Sequence, residues 1–256
     1  MNKRCGWILA VLLLAGCGEA ENSTAPTPES IAAAQAQSEK REAIAEVKAA
    51  GGRYSGHYRQ IRFSDKPISD AELEIVTRFP DLEFLRLERT QITDSGLEHI
   101  SGLLYLRTLN LSGTGISDAG LKHLRRLNSL RDLHLDNTQI SDAGLVALIG
   151  LSKLRSLQLA ETSITDSGLE TLNDLSRLKE LGLAGTQVTD SGLEHLKTQP
   201  NLRVVDLSGT KITDASLDHF KGIKSLVALN VSNTQITDDG FARLLVSLPG
   251  VHLKRE

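Results

Sequence analysis

Residues 106–129 read LRTLNLSGTGISDAGLKHLRRLNS, and the two hydrophobic periods inside that stretch decide the architecture. Leu109 and Leu111 alternate with Asn110 and Ser112, the two-residue period of a half-buried strand. Leu121, Leu124 and Leu127 then recur every third residue, which predicts one face of a short helix over 118–127. Ser117 or Asp118 suits the N-cap, because a short side-chain oxygen accepts from amides that the first turn leaves unpaired. An acidic residue there also complements the positive end of the helix.

The same pattern is written again and again. Thr90, Thr114, Thr138, Thr162, Thr186, Thr210 and Thr234 stand 24 residues apart with no insertion between them. One unit buries little alone; stacked, each coil's leucines lie on those of the next, and a continuous core forms. The period predicts a divergent coil over 58–81, with Tyr58, Ile61 and Phe63 at the strand Leu places. Seven coils fill 82–249, and a final strand carrying Val251 and Leu253 falls in 250–256. The Thr is expected to be buried at the turn after the strand, its hydroxyl bonded to backbone or to the next Thr. Gly96, Gly120, Gly144, Gly168, Gly192 and Gly240 let neighbouring coils approach, and Ser216 replaces this Gly once.

On these residues the chain resembles the leucine-rich-repeat proteins. Its L-x-x-L-x-L-x-x-T-x-I-T-D-x-G-L unit is similar to the repeats of ribonuclease-inhibitor-like and F-box-associated solenoids. Most of all it resembles bacterial lipoprotein versions that carry Thr at the usual Asn or Cys position. The resemblance covers residues from Tyr58 onward. It implies an α/β right-handed solenoid, or horseshoe, with a parallel concave sheet and short helices on the convex side. It also implies protein binding through the concave sheet. No F-box precedes the repeats, so a ubiquitin-ligase adaptor role does not carry over.

Residues 1–16 have the layout of a signal peptide: Lys3 and Arg4, then an apolar run over 7–15. That run is too short to span a bilayer, which takes about 20 residues. Leu14-Ala15-Gly16-Cys17 resembles the bacterial lipobox, which implies that Cys17 is lipidated and becomes the first mature residue. An ordinary signal sequence with a chance Cys is the alternative. Gly18 and Glu19 follow with no Asp, which in a diderm implies the outer membrane; the expectation is an exported, lipid-anchored protein of the bacterial cell envelope. Residues 17–28 read as a flexible tether. Residues 29–57 read as a helix and N-terminal cap, with Ile44 and Val47 on its apolar face and Gly51-Gly52 as its stop. A solvated spacer is the other reading of that helix.

Net charge is −3, or −5 once the leader's Lys3 and Arg4 are removed, which argues against a nucleic-acid partner. Cys5 and Cys17 both lie in the leader region, so the repeats hold neither disulfides nor thiolate metal sites.

Outward strand positions form the candidate binding face. Across the coils they run Arg86, Asn110, His134, Gln158, Gly182, Asp206 and Asn230, with Glu88, Asp132, Asp136 and Glu180 beside them. This face varies while the inward positions stay Leu. Asp132, His134 and Asp136 point the same way from one strand, a pattern for a proton carrier or metal ligand as well as for a plain polar patch. No Ser, Cys or third carboxylate completes a hydrolytic set, so neither catalytic residues nor a metal or cofactor is expected. Ala160, Gly182 and Ala184 predict a shallow depression between His134/Asp136 and Glu180/Asp206, where a partner's side chain docks. Arg107, Arg131, Arg155, Lys179 and Arg203 form a basic ladder where the strands begin, either a solvated edge or a contact for acidic surfaces. His99, His123, His195 and His219 recur on the helical side without metal-site spacing. The Asp series from Asp94 through Asp238 reads as helix capping rather than as a calcium ladder. The reading is a monomeric, membrane-anchored, non-catalytic binding module for a protein or a cell-envelope polymer. A structural spacer without a specific partner is the alternative.

Overall fold

The computed structural model describes residues 27–255. The expected signal peptide, Cys17 and all but the end of the tether lie outside the described residues. The chain forms two units, one ending at Glu39 and one running from Lys40. In the first, the described residues are helical from Pro28 and exposed. The helix Pro28–Ala49 continues into the second unit, where Ala43 and Val47 are wholly buried in the core and Ile44 is half-buried.

The second unit is a ten-stranded sheet whose strands lie side by side in chain order. They are β1 (Arg53–Ser55), β2 (Gln60–Arg62), β3 (Phe84–Arg86), β4 (Thr108–Asn110) and β5 (Asp132–His134). The rest are β6 (Ser156–Gln158), β7 (Glu180–Gly182), β8 (Val204–Asp206), β9 (Ala228–Asn230) and β10 (His252–Lys254). From β2 onward every pair is parallel and in register, so residues 24 apart face each other from β2 to β10. β1 pairs with β2 antiparallel, an edge hairpin that the parallel-sheet expectation does not contain. Tyr58 departs from its expected core place: it is 62% exposed in the turn between β1 and β2. Arg59 there takes a left-handed φ of 46°, and the reversal carries Tyr58 outward onto His57, ring centroids 4.7 Å apart. Ile61 and Phe63 do enter the core.

Most coils close through seven apolar side chains at fixed repeat positions; in the coil from Leu178 the last position holds the buried Gln199. In the quoted coil Leu106, Leu109, Leu111, Ile116, Leu121, Leu124 and Leu127 are all fully buried. Removing each from water stabilises by about 1.5–3 kcal/mol before conformational entropy is charged. The helical segment is shorter and tighter than expected. Asp118–Leu121 is one α turn, Lys122–Leu124 is 3-10, and Leu127 falls in the turn beyond. A leucine spacing of three matches the three-residue turn of a 3-10 helix better than the 3.6 of an α-helix. The buried Thr hydroxyls donate to the carbonyl three residues back, as Thr114 does to Leu111 at 2.5 Å and Thr186 to Leu183 at 2.7 Å.

Coil is locked to coil by the Asp series. Ser117, not Asp118, is the N-cap: its hydroxyl accepts from Ala119 N at 3.3 Å. Asp118 instead reaches the next coil, where Ser141 N donates to Oδ1 at 2.8 Å and Ser141 Oγ to Oδ2 at 2.6 Å. The same double bond recurs from Asp70 to Thr93 and onward to Thr237 on Asp214. Helix capping is therefore corrected to a staple between coils. Gly120, Gly144, Gly168 and Gly192 are required by it, because a Cβ on any of them would collide with Oδ1 of the stapling Asp. Asp238, at the last position of the series, pairs with Arg255 at 2.5 Å.

Candidate binding face

Strands of three residues put their middle side chain in the core and their outer two on the concave surface. The in-register pairing therefore draws two straight rows of outward side chains. One row runs Arg53, Arg62, Arg86, Asn110, His134, Gln158, Gly182, Asp206, Asn230, Lys254. The other includes Phe84, Thr108, Asp132, Ser156, Glu180 and Val204. Glu88 and Asp136 stand two residues past their strands, in a third row.

Many of these polar groups are already engaged. Thr108 Oγ1 donates to Asp132 Oδ2 at 2.9 Å, and Ser156 Oγ donates to Glu180 Oε2 at 3.3 Å. Asp136 accepts from Ser112 Oγ at 3.0 Å and from Ala160 N at 2.9 Å. Asn110, Asp206 and Asn230 each use Oδ1 to accept the N–H two residues on, which fixes the exit from the strand. Glu88 accepts from Ser64 Oγ at 2.5 Å and lies 4.0 Å from Arg62, while its buried Oε2 has no hydrogen-bond partner. Arg86 and His134 make no side-chain hydrogen bond or ion pair among the described residues, and Arg86 is exposed. With Arg53 and Lys254, which also make none, they are the charged or titratable members of the row with undivided capacity for a partner.

The expected depression is filled. Gly182 is buried because the Gln158 side chain lies over it, so a Cβ at Gly182 would collide with Gln158 Oε1. Gln158 is held there by Nε2 donating to Ser156 Oγ at 3.1 Å. The small residue at 182 makes room for this neighbour rather than for a ligand. Asp132 and His134 share β5 and Asp136 follows two residues past it, but among the described residues no three His, Cys, Asp or Glu side chains are placed to hold a metal ion.

Arg53 and Arg62 extend the face beyond the residues read from sequence. With Arg86 they are successive cross-strand partners, a cationic start to the row. A cavity of about 370 Å³ lined by Arg53, Tyr54, Tyr58 and Arg62 opens beside them. The alternation of RYS and QIR about a Gly-containing turn, in RYSGHYRQIR, was the signal for this hairpin. The basic ladder lies along the rim of the sheet, one residue before the strands. The four recurring His are on the helical side, His99, His123, His195 and His219 each half-buried.

A family model described as leucine rich repeat matches residues 128–188, and a second of that description matches 103–124, 198–218 and 223–244. No curated protein matches the sequence. Among solved structures, the second unit's fold is shared by internalin C2 from Listeria monocytogenes. That chain is 24% identical, with a TM-score of 0.62, over 84% of this chain and 92% of the other. An internalin (inlF) from the same organism is 22% identical, with a TM-score of 0.56, over 73% of this chain. This chain spans 57% of that one's length. By the repeats matched over 103–124, 128–188, 198–218 and 223–244 and by the shared solenoid fold, this is a leucine-rich-repeat protein.

Proposed function

We propose that the solenoid is a non-catalytic binding module whose concave rows dock a partner protein, and that a lipid on Cys17 holds it in the bacterial cell envelope. Leucine-rich repeats generally serve protein binding. The observation that carries the reading is the contrast between the two sides of each strand. The inward residue is Leu, Ile or Val in all ten strands but β1, where it is Tyr54, while the outward row changes chemistry at almost every step. Taken over all its rows the face also has polarity: Arg53, Arg62 and Arg86 at one end, Asp132, Asp136, Glu180 and Asp206 along the middle. A complementary partner presents carboxylates toward β1–β3 and cations toward β5–β8. The anchor rests on Leu14-Ala15-Gly16-Cys17, which resembles the bacterial lipobox; among the described residues no helix is long and apolar enough to cross a membrane.

A photo-crosslinking residue placed at Arg86 or His134 in the living cell tests the face. A discrete adduct from both sites, lost from a control at Lys122 on the helical side, supports it. Equal, diffuse labelling at all three favours the structural spacer. Labelled palmitate incorporated into the wild type and lost in Cys17→Ser tests the anchor.

A further inference from the structure

The carbonyls just before the strands form a second ladder. Arg107 O accepts from Arg131 N at 2.7 Å and Asp132 N at 3.0 Å; Arg131 O accepts from Arg155 N at 2.7 Å and Ser156 N at 3.0 Å. Arg155 O and Lys179 O repeat this toward Lys179 N and Arg203 N, each at 2.8 Å. The backbone thus files one cation per coil along the rim, about 4.8 Å apart. Glu83 heads the file and pairs with two cations, Arg59 at 3.1 Å and Arg107 at 3.0 Å. Beyond it no carboxylate occupies this position. Arg131, Arg155, Lys179 and Arg203 make no side-chain ion pair or hydrogen bond among the described residues. Lys153 and Arg177, separated from Arg155 and Lys179 by the buried Leu154 and Leu178, make none either.

The nearest carboxylates in sequence are turned to other work: Asp132 accepts from Thr108, and Glu180 from Ser156. Like charges on facing positions of neighbouring strands destabilise a sheet. In a chain of net charge −3, six such cations together are not a by-product of a basic composition.

We propose that this rim is a second docking surface, separate from the concave rows, and that it takes an acidic polypeptide segment of a partner. Four of the six cations are arginines, whose planar forks match carboxylates in pairs. The file also has apolar flanks. Tyr105, two residues before Arg107, is 63% exposed, and Val227, one coil after Arg203, is 42% exposed. A polypeptide sets apolar side chains beside its carboxylates and matches both features; a polyphosphate or an anionic glycan matches only the charge.

The test uses the full chain and a fluorescein-labelled peptide of Glu and Asp flanked by Leu, with its Gln/Asn counterpart as reference. The acidic peptide binds, its affinity falls with salt, and Arg155→Gln/Lys179→Gln weakens it by about tenfold. Arg131→Gln/Arg203→Gln does the same. Arg125→Gln/Arg126→Gln, which removes two exposed charges from the helical side, leaves it unchanged, and none of the three variants melts below the wild type. Equal weakening in all three variants overturns the proposal. So does tighter binding of polyphosphate or of phosphatidylglycerol vesicles than of the peptide, or no binding of the peptide at low salt.

Discussion

At the scale of single residues, the turn between strand and Thr sets the terms. Asp65, Arg89, Gly113, Asn137, Glu161, Gly185, Gly209 and Asn233 occupy one repeat position, and all have positive φ, between 51° and 69°. Gly and Asn adopt this conformation readily; Arg89 and Glu161 hold it at a cost of about 1–2 kcal/mol. Glu161→Gly should therefore stabilise by roughly 0.5–1 kcal/mol, the loss of strain exceeding the entropy that Gly adds to the unfolded chain. Urea unfolding measures this, and a lowered midpoint would refute the strain. From Arg89 onward the next residue is the Thr of the repeat, buried in every coil but the last, where Thr234 is half-buried. Thr138→Val deletes the 2.5 Å bond to Leu135 O and leaves that carbonyl short of a partner, a loss of about 1–2 kcal/mol. Asp214 gives a pH signature. The Thr237 hydroxyl first, then its amide, hold the Asp214 carboxyl below its ordinary value. A lowered folded value means a contribution that is full above the ordinary carboxylate range and is lost as pH falls through the lowered one. The melting-temperature gap between wild type and Asp214→Asn should hold at neutral pH and close as acid is added below that range.

Between elements, the unit of cohesion is an Asp from one coil with a hydroxyl residue and a Gly from the next. Asp118→Ala frees two donors of Ser141 and should cost about 1.5–3 kcal/mol. Gly144→Ala drives a Cβ against the same carboxylate and should cost about 1–3 kcal/mol. Since the Ala side chain at 144 clashes with the group that Asp118→Ala removes, the double variant should lose clearly less than the two losses together. Strict additivity would mean that the Gly is kept for some other reason. Ser216 is the natural exception: it is wholly buried, its hydroxyl donating to Thr213 O at 2.7 Å, and Asp190 still staples Thr213. The staple was hidden in the sequence because an Asp just after a Ser or Thr looks the same whether it serves its own helix or the next coil.

For the whole second unit, stability passes from neighbour to neighbour. Deleting residues 154–177 removes one period and rejoins matching chain ends, so the shortened solenoid should unfold in a single transition a few degrees lower, about 2–4 °C. Deleting 154–165 instead joins a strand start to a helix start and should abolish cooperative melting, followed by circular dichroism. The N-terminal end needs its helix: Val47 is wholly buried, and Val47→Asp leaves a charge with no partner in the core. The binding reading also belongs to this scale, since no single coil holds a row of outward side chains.

The 24-residue period by itself determined the stacked coils, the buried leucines and Thr, and the face on which variation lies, because a strict spacing admits one way of hiding its apolar side. Contacts between coils were decided only in three dimensions. The staple of Asp118 to Ser141, the Gln158 side chain over Gly182 and the outward turn of Tyr58 each depend on where a neighbour from another coil or strand sits. A side chain's partner 24 positions away leaves no local trace in a sequence whose every repeat carries nearly the same residues.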